Sequence, residues 1–225
     1  MHFLLLGATG RTGLLVVAEL LAQGHTAVAL VRNLDKLPAQ KGLTVIKGSP
    51  LAKADVEKAI TATPTKIDAC IFTLNTLRAS DSPFAAQVTP PRFLADAAQV
   101  AADALLAHGI SRLVITSTAG AGDSWPGLPW VSRAFMGWTN VKHALADHNI
   151  VDKEIRQTKT EWTLVRPVRL EFDTNKKTEM EVLDSRGSGR MKMSDCAHVA
   201  GLARFLVKVA VEGLYVRETI IVRDA

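Results

Sequence analysis

Near its start the chain reads LLLGATGRTG, which sets Gly7, Gly10 and Gly13 three residues apart. In a strand-to-helix turn each glycine has a separate task. Gly7 allows the sharp turn, Gly10 lets backbone approach a pyrophosphate with no Cβ in the way, and Gly13 lets the helix lie close on the sheet. The N–H groups from Thr9 to Thr12 then face the phosphates, assisted by the positive end of the helix. An apolar strand precedes the motif and an apolar helix follows it, the context that marks dinucleotide binding; a turn that only packs helix on sheet is the alternative. The second strand ends LVRN, with Arg32 where an acid would grip a ribose 2′-hydroxyl. Arg11, inside the loop, reaches the same region. Two guanidiniums suit bidentate phosphate binding and point to NADP(H). Asp35 stands past the strand end and reads as a helix cap or an Arg32 partner.

A second set of residues can polarise a substrate. Ser117 and Thr118 close the fifth strand, at the carboxyl edge where open α/β sheets bind ligands. Their hydroxyls serve either a substrate carbonyl or their own turn backbone. Downstream, Val141, Leu145, His148, Asp152 and Ile155 recur at three- and four-residue steps, one stripe of a helix. His148 thus precedes Asp152 by one turn, and a carboxylate beside an imidazole raises its pKa toward that of a proton donor near neutrality. A purely structural His–Asp pair fits the same spacing. Lys153, at the edge of the stripe, is placed to reach a nicotinamide ribose. Between strand and helix, AGAGDSWPGLPWVSRAFMGW carries Trp125, Trp130, Phe135 and Trp138. On a Gly/Pro-rich loop such aromatics wall a pocket for a flat apolar ligand, pack the loop onto its own domain, or bury a dimer contact.

Positioning these residues takes a regular alternation of elements. Apolar strand-length runs at 2–6, 27–32, 43–47, 68–74, 112–118, 161–167 and 218–222 alternate with helical stretches at 11–23, 51–62, 92–107, 139–158 and 194–211. The runs are continuously apolar, as strands of a parallel sheet covered on both faces must be. The pattern predicts an α/β, doubly wound Rossmann fold of about seven strands in one domain, 1–225. Residues 33–42 are too short for a full crossover helix and predict a turn or a short helix. Two stretches, 119–138 and 171–193, break the rhythm and are expected to cover substrate over the carboxyl ends of the strands.

Composition narrows the classes. The chain is 48% hydrophobic and 22% charged, enough for a full core. Its net charge of +5 is spread out, with Lys176–Lys177 the one basic doublet, which suits an anionic small molecule and argues against nucleic acid. Met1 and His2 run straight into the first strand, so no signal peptide is expected, and no apolar run approaches the roughly 20 residues of a membrane span. A cytoplasmic protein without a membrane partner is the expectation. Cys70, in a strand, and Cys196, at a helix start, read as reduced structural thiols with no metal-ligand neighbour at useful spacing, so no metal is expected.

LLLGATGRTG, ALVRN, RLVITST and EWTLVRPVRL resemble the atypical short-chain dehydrogenase/reductases with an NmrA-like NAD(P)-binding domain, a group that includes flavin reductase/biliverdin-IXβ reductase-like proteins. The resemblance runs along the whole chain and implies strand order 3-2-1-4-5-6-7. It implies that Gly7, Thr9, Gly10, Arg11, Thr12 and Gly13 bind the diphosphate side and Arg32 the 2′-phosphate. Leu74, Asn75 and Thr76 would line the middle of the cofactor, with Pro167 and Val168 over the nicotinamide. KGSPL at 47–51 departs from the family, which usually has an Asp where Ser49 stands near the adenine.

Typical members of the wider superfamily use Ser and a Tyr-x-x-x-Lys pair. Here Lys153 falls on the lysine position, but Asn149 stands four residues before it, and Tyr215, the one tyrosine, has no lysine four residues on. An acceptor that takes hydride at carbon can collect its proton from solvent, so the missing tyrosine points to flavin, quinone or enone acceptors. The expectation is an NADPH-dependent oxidoreductase acting on a planar conjugated small molecule, as a monomer or homodimer, with Ser117, His148 and Lys153 as catalytic candidates. A regulatory NADP(H)-binding protein without turnover fits the same residues. So does a non-redox isomerase or cyclase that uses His148 and Asp152.

Overall fold

The computed structural model of the chain describes residues 1–173, 178–183 and 191–225. Strand β1 (His2–Leu6) lies at the centre, paired in parallel with β2 (Thr26–Val31) on one side and β4 (Ala69–Phe72) on the other. Next to β2 is β3 (Leu43–Lys47); next to β4 come β5 (Arg112–Thr116), β6 (Glu161–Pro167) and β10 (Glu218–Asp224), all parallel. This is the expected order, and the chain reverses direction across the sheet between β1 and β4, the switch point that opens a crevice for ligands. An eighth strand, β8 (Met180–Leu183), adds antiparallel to β10 and closes that edge. It comes from the stretch 171–193, which carries no strand signal of its own; within that stretch 174–177, with Lys176–Lys177, and 184–190 lie outside the described residues.

Strand alternation sorts the core into two layers. Leu4 and Leu6 pack into one, under α2 (Lys53–Ile60), α3 (Phe93–Ala107) and α5 (Val141–Ile155). Phe3 and Leu5 pack into the other, under α1 (Arg11–Ala22) and α6 (Val199–Val211). With both faces covered, β1 is buried at every residue, which explains its unbroken apolar sequence. A third, smaller cluster of Ala119, Leu128, Val168, Leu183, Met191, Ala197 and Ile221 sits at the carboxyl ends of the late strands.

Two details differ from the sequence reading, and a third agrees with it. The final helix begins at Val199, not 194, because Cys196–His198 form strand β9 against β7 (Arg169–Glu171). Asp224 holds this segment extended, accepting from the His198 backbone N–H at 3.0 Å and from its ring. Cys196 is therefore a strand residue and not a helix start. The aromatic stretch is not all loop: Trp130–Trp138 form helix α4, with Pro129 as its N-terminal boundary. Residues 33–42 contain only the short 3-10 turn Leu34–Lys36, as expected, capped by the Asn33 side chain, which accepts from the Asp35 N–H.

Candidate active site and dinucleotide cradle

Strand β1 delivers the glycine loop to the sheet's carboxyl edge, and the loop's shape follows from what surrounds it. Gly7 has φ of +93°, and a Cβ there would lie 2.6 Å from the Leu74 nitrogen at the exit of β4. A Cβ on Gly13 would overlap the Gly7 carbonyl oxygen and lie 2.8 Å from the Ala8 Cα. Backbone bonds from Gly10 N–H to Gly7 O (3.0 Å) and from Leu14 N–H to Gly10 O (2.9 Å) complete the turn. No side chain caps α1, so its first N–H groups are left to a ligand. These residues fit a dinucleotide diphosphate, since the loop is held tight by backbone contacts at Gly7 and Gly13 beside a helix start whose N–H groups no side chain caps.

Arg32 is exposed at the end of β2. At the departure noted in the sequence, the Ser49 N–H donates to Asp55 at 2.8 Å, so a carboxylate from α2 occupies this corner. Arg11 extends from the loop over the Phe172 ring, 4.0 Å from its centroid, and pairs with Asp81 at 2.8 Å. Both partners of that pair are well exposed, so it costs little to open.

Beside the loop lies a cavity of about 780 Å³. Of the expected cofactor residues, Arg11, Asn75, Thr76, Pro167 and Val168 line it. Leu74 does not: its side chain packs on the core beneath, and only its backbone meets the glycine loop. Ser117, Thr118 and His148 share the wall, with Ser117 Oγ 3.5 Å from His148 Nδ1. Helix α5 turns Val141, Ala144, Leu145 and His148 toward this space. Lys153 is exposed on another face of the helix, and Asn149 accepts from the Gly122 N–H at 2.8 Å.

The His148–Asp152 expectation is overturned. Asp152 Oδ1 accepts from Arg166 at 2.8 Å and from Arg156 at 2.9 Å. Arg166 is fully buried and grips Asp123 with its other arm at 2.6 Å. His148 therefore gains no raising carboxylate; burial first, and the charge of Arg166 second, lower its pKa to about 4. The imidazole is neutral at physiological pH and serves as a hydrogen-bond partner, not a stored proton. The sequence reading gave Arg166 no role, although its signal was present. A charged residue inside the buried strand WTLVRP demands carboxylate partners on neighbouring elements.

Of the aromatics, Phe135 lines the cavity, and Trp125 packs partly buried on the third core cluster. Trp130 and Trp138 stand outside the lining, 73% and 85% exposed, because α4 turns Ser132 and Met136 inward instead. Phe172, Met191 and Met193 complete the wall; they come from the stretch 171–193 expected to cover substrate, although the sequence reading named none of them individually. Tyr215 is not in the lining; it packs beside Phe205 at the amino end of β10. Elsewhere Cys196, His198 and Asp224 bring their ligand-type atoms within 4.8 Å of one another, a grouping that sequence spacing could not show. The Asp224 carboxylate also accepts from Thr178 at 2.7 Å, so it serves there as a clamp on the strand ends.

The family described as NAD(P)H-binding matches residues 7–212, and the chain belongs to it. Solved structures of the same fold include ChuY, described as an anaerobilin reductase from Escherichia coli, at 20% identity and TM-score 0.76, covering 100% of this chain and 97% of that one. A short-chain dehydrogenase/reductase from Veillonella parvula in complex with NADP is similar at 17% identity and TM-score 0.76, covering 98% and 93%. A putative NAD-dependent epimerase/dehydratase from Bacillus halodurans is similar at 21% identity and TM-score 0.75, covering 100% and 94%. No helix among the described residues is long and apolar enough to cross a membrane.

Proposed function

We propose that the protein is an NADPH-dependent reductase of a planar conjugated small molecule, working without a Tyr-x-x-x-Lys pair. One observation carries this reading: Ser117 and His148 share a single cavity with Arg11, Asn75, Thr76 and Pro167 next to the glycine loop. Reductases among the proteins of similar fold are consistent with it. Gly7, Gly10 and Gly13 hold the diphosphate, and the exposed guanidinium of Arg32 takes the 2′-phosphate, which sets the preference over NADH. Bound there, the cofactor supplies a hydride.

The chain's own groups orient the acceptor. Apolar side chains such as Leu128, Phe135 and Val168 fit a flat ring system and exclude water from its faces. The Ser117 hydroxyl donates to the acceptor's oxygen, and neutral His148 holds the hydroxyl rotor through Nδ1. With no imidazolium at hand, the proton that follows comes from solvent through the open mouth. That is sufficient for a flavin, quinone or enone and insufficient for a simple ketone.

The test is stopped-flow loss of NADPH absorbance against a panel of flavin mononucleotide, quinones, enones and ketones, with NADH as control. Conjugated acceptors should turn over and simple ketones should not. Ser117→Ala should lower kcat by about a hundredfold while leaving NADPH affinity unchanged. Tight NADPH binding with no turnover across the panel would shift the reading to a regulatory NADP(H)-binding protein. No NADPH binding at all would leave the glycine loop as a turn and shift the reading to a non-redox enzyme.

A further inference from the structure

Helix α4 has no fully buried residue. Trp130, Val131, Ala134, Phe135 and Trp138 fall within one arc of about 140° at 100° per residue, and of these only Ala134 is partly covered. Two other segments are stitched to this helix. Asn140, just past its end, donates to the carbonyls of Phe84 (2.8 Å) and Ala85 (3.1 Å), which brings the 69%-exposed Phe84 alongside. On the inner side Ser132 donates to the Met193 sulfur at 3.0 Å. The exposed apolar surface is therefore continuous with the cavity mouth, where Leu77, Phe135, Phe172 and Met193 are both lining and exposed. A patch of this kind on a folded chain marks a docking surface.

Charge and size indicate what docks. Residues 124–146 contain Arg133, Lys142 and His143 and no Asp or Glu, and Asp81, the acid nearest Phe84 in the chain, is paired with Arg11. Exposed Lys192 adjoins Met193 at the same rim. Aromatic side chains flanked by Arg133, Lys142 and Lys192, with the rim carboxylate of Asp195 held by the Lys192 N–H and Arg223, complement an anionic lipid surface, where Trp rings settle at headgroup depth. A nine-residue helix, about 13 Å long, is short for the roughly 800 Å² that each partner of a stable dimer buries. A second copy seated there would also cover the mouth.

We propose that the Trp130–Trp138 face of α4, with Phe84, seats on an anionic lipid surface, and that the adjoining mouth admits an apolar acceptor dissolved in that surface. The second half rests on the reductase reading; the first does not. It requires only interfacial contact, not a span.

The experiment floats the full chain with phosphatidylcholine vesicles with and without phosphatidylglycerol, comparing the wild type with Trp130→Ser/Trp138→Ser. The wild type should float with the phosphatidylglycerol vesicles, less at high salt and less without the anionic lipid, and the double variant should lose at least about tenfold in partitioning. Unchanged thermal unfolding and NADPH titration would show the variant to be folded, since both side chains lie outside the core. No flotation, or flotation indifferent to the substitutions, would overturn the proposal. So would a concentration-dependent dimer in sedimentation that the double variant abolishes, which would assign the face to a second copy. For the acceptor half, rates are compared for quinones with long and short apolar tails in the presence of vesicles. The long-to-short ratio should fall in the double variant, and an unchanged ratio overturns delivery from the lipid. Absence of any NADPH oxidation would sink the reductase reading, while flotation would still decide the docking face.

Discussion

The two ends of the ligand crevice are built by opposite means. At the glycine loop, backbone packs on backbone: Gly7 against Leu74, and Gly13 against Gly7 and Ala8. At the far wall, side chains from distant segments meet: Phe172, Met191 and Met193 around the cavity, with Asp224 clamping His198 and Cys196 behind it. The first end tolerates almost no change of residue type. The second constrains volume and polarity and leaves identity open. A cofactor common to a whole family calls for the first kind of site, and a substrate that differs between members calls for the second.

The contrast can be broken most severely at Gly13. Gly13→Ala forces the loop off α1, and an overpacking cost of about 3 kcal/mol should appear as a lowered Tm, with NADPH binding lost in titration. An Ala variant that binds NADPH normally would show that the cradle is soft. The substrate side should respond to pH instead. His148 has its pKa lowered from 6.5 to about 4, so the unfolded chain takes up the proton first. Its contribution is fully present above about pH 6.5 and is lost as pH falls through 4, on the order of 3 kcal/mol in all. Urea unfolding measured across that window should show a shallower slope for His148→Gln than for wild type.

Smaller effects sharpen the same comparison. Arg32→Ala should weaken NADPH about tenfold and leave NADH unchanged, as read by fluorescence titration; equal weakening of both would remove the 2′-phosphate assignment. Lys153→Ala, on an exposed face of α5, should keep kcat within about twofold and stability within about 0.5 kcal/mol. A large loss would mean that the helix turns further toward the ligand than its contacts show.

Legibility divides along the same line. The glycine loop, the strands and the Ser117–His148 wall could be read because each leaves a local mark: a residue type forced by backbone geometry, an unbroken apolar run, a helical stripe; the strand order came from the family resemblance. The buried partner of Asp152 could not be read from the stripe alone, since Arg166 lies on β6 and not on α5. Strand β8 carries little strand signal because it is four residues, MEVL, mostly half-buried at the edge of the sheet, so it needs no unbroken apolar run. The helical spacing of Trp130, Ala134 and Trp138 was visible, but Gly127 and Pro129 beside it suggested a loop.

The position of β10 has a consequence for the order of assembly. Among the described residues, 180–183 pair with residues 221–224, and Asp224 supplies the bonds that hold Cys196, His198 and Thr178. The glycine loop needs only the first strands and helix, together with β4, and those segments emerge early from synthesis. The cavity's outer wall has to wait for the last strand to insert. Every residue that shapes the nucleotide cradle therefore precedes the first residue of the chamber's outer wall along the chain, and that wall is complete only when the last strand is in place.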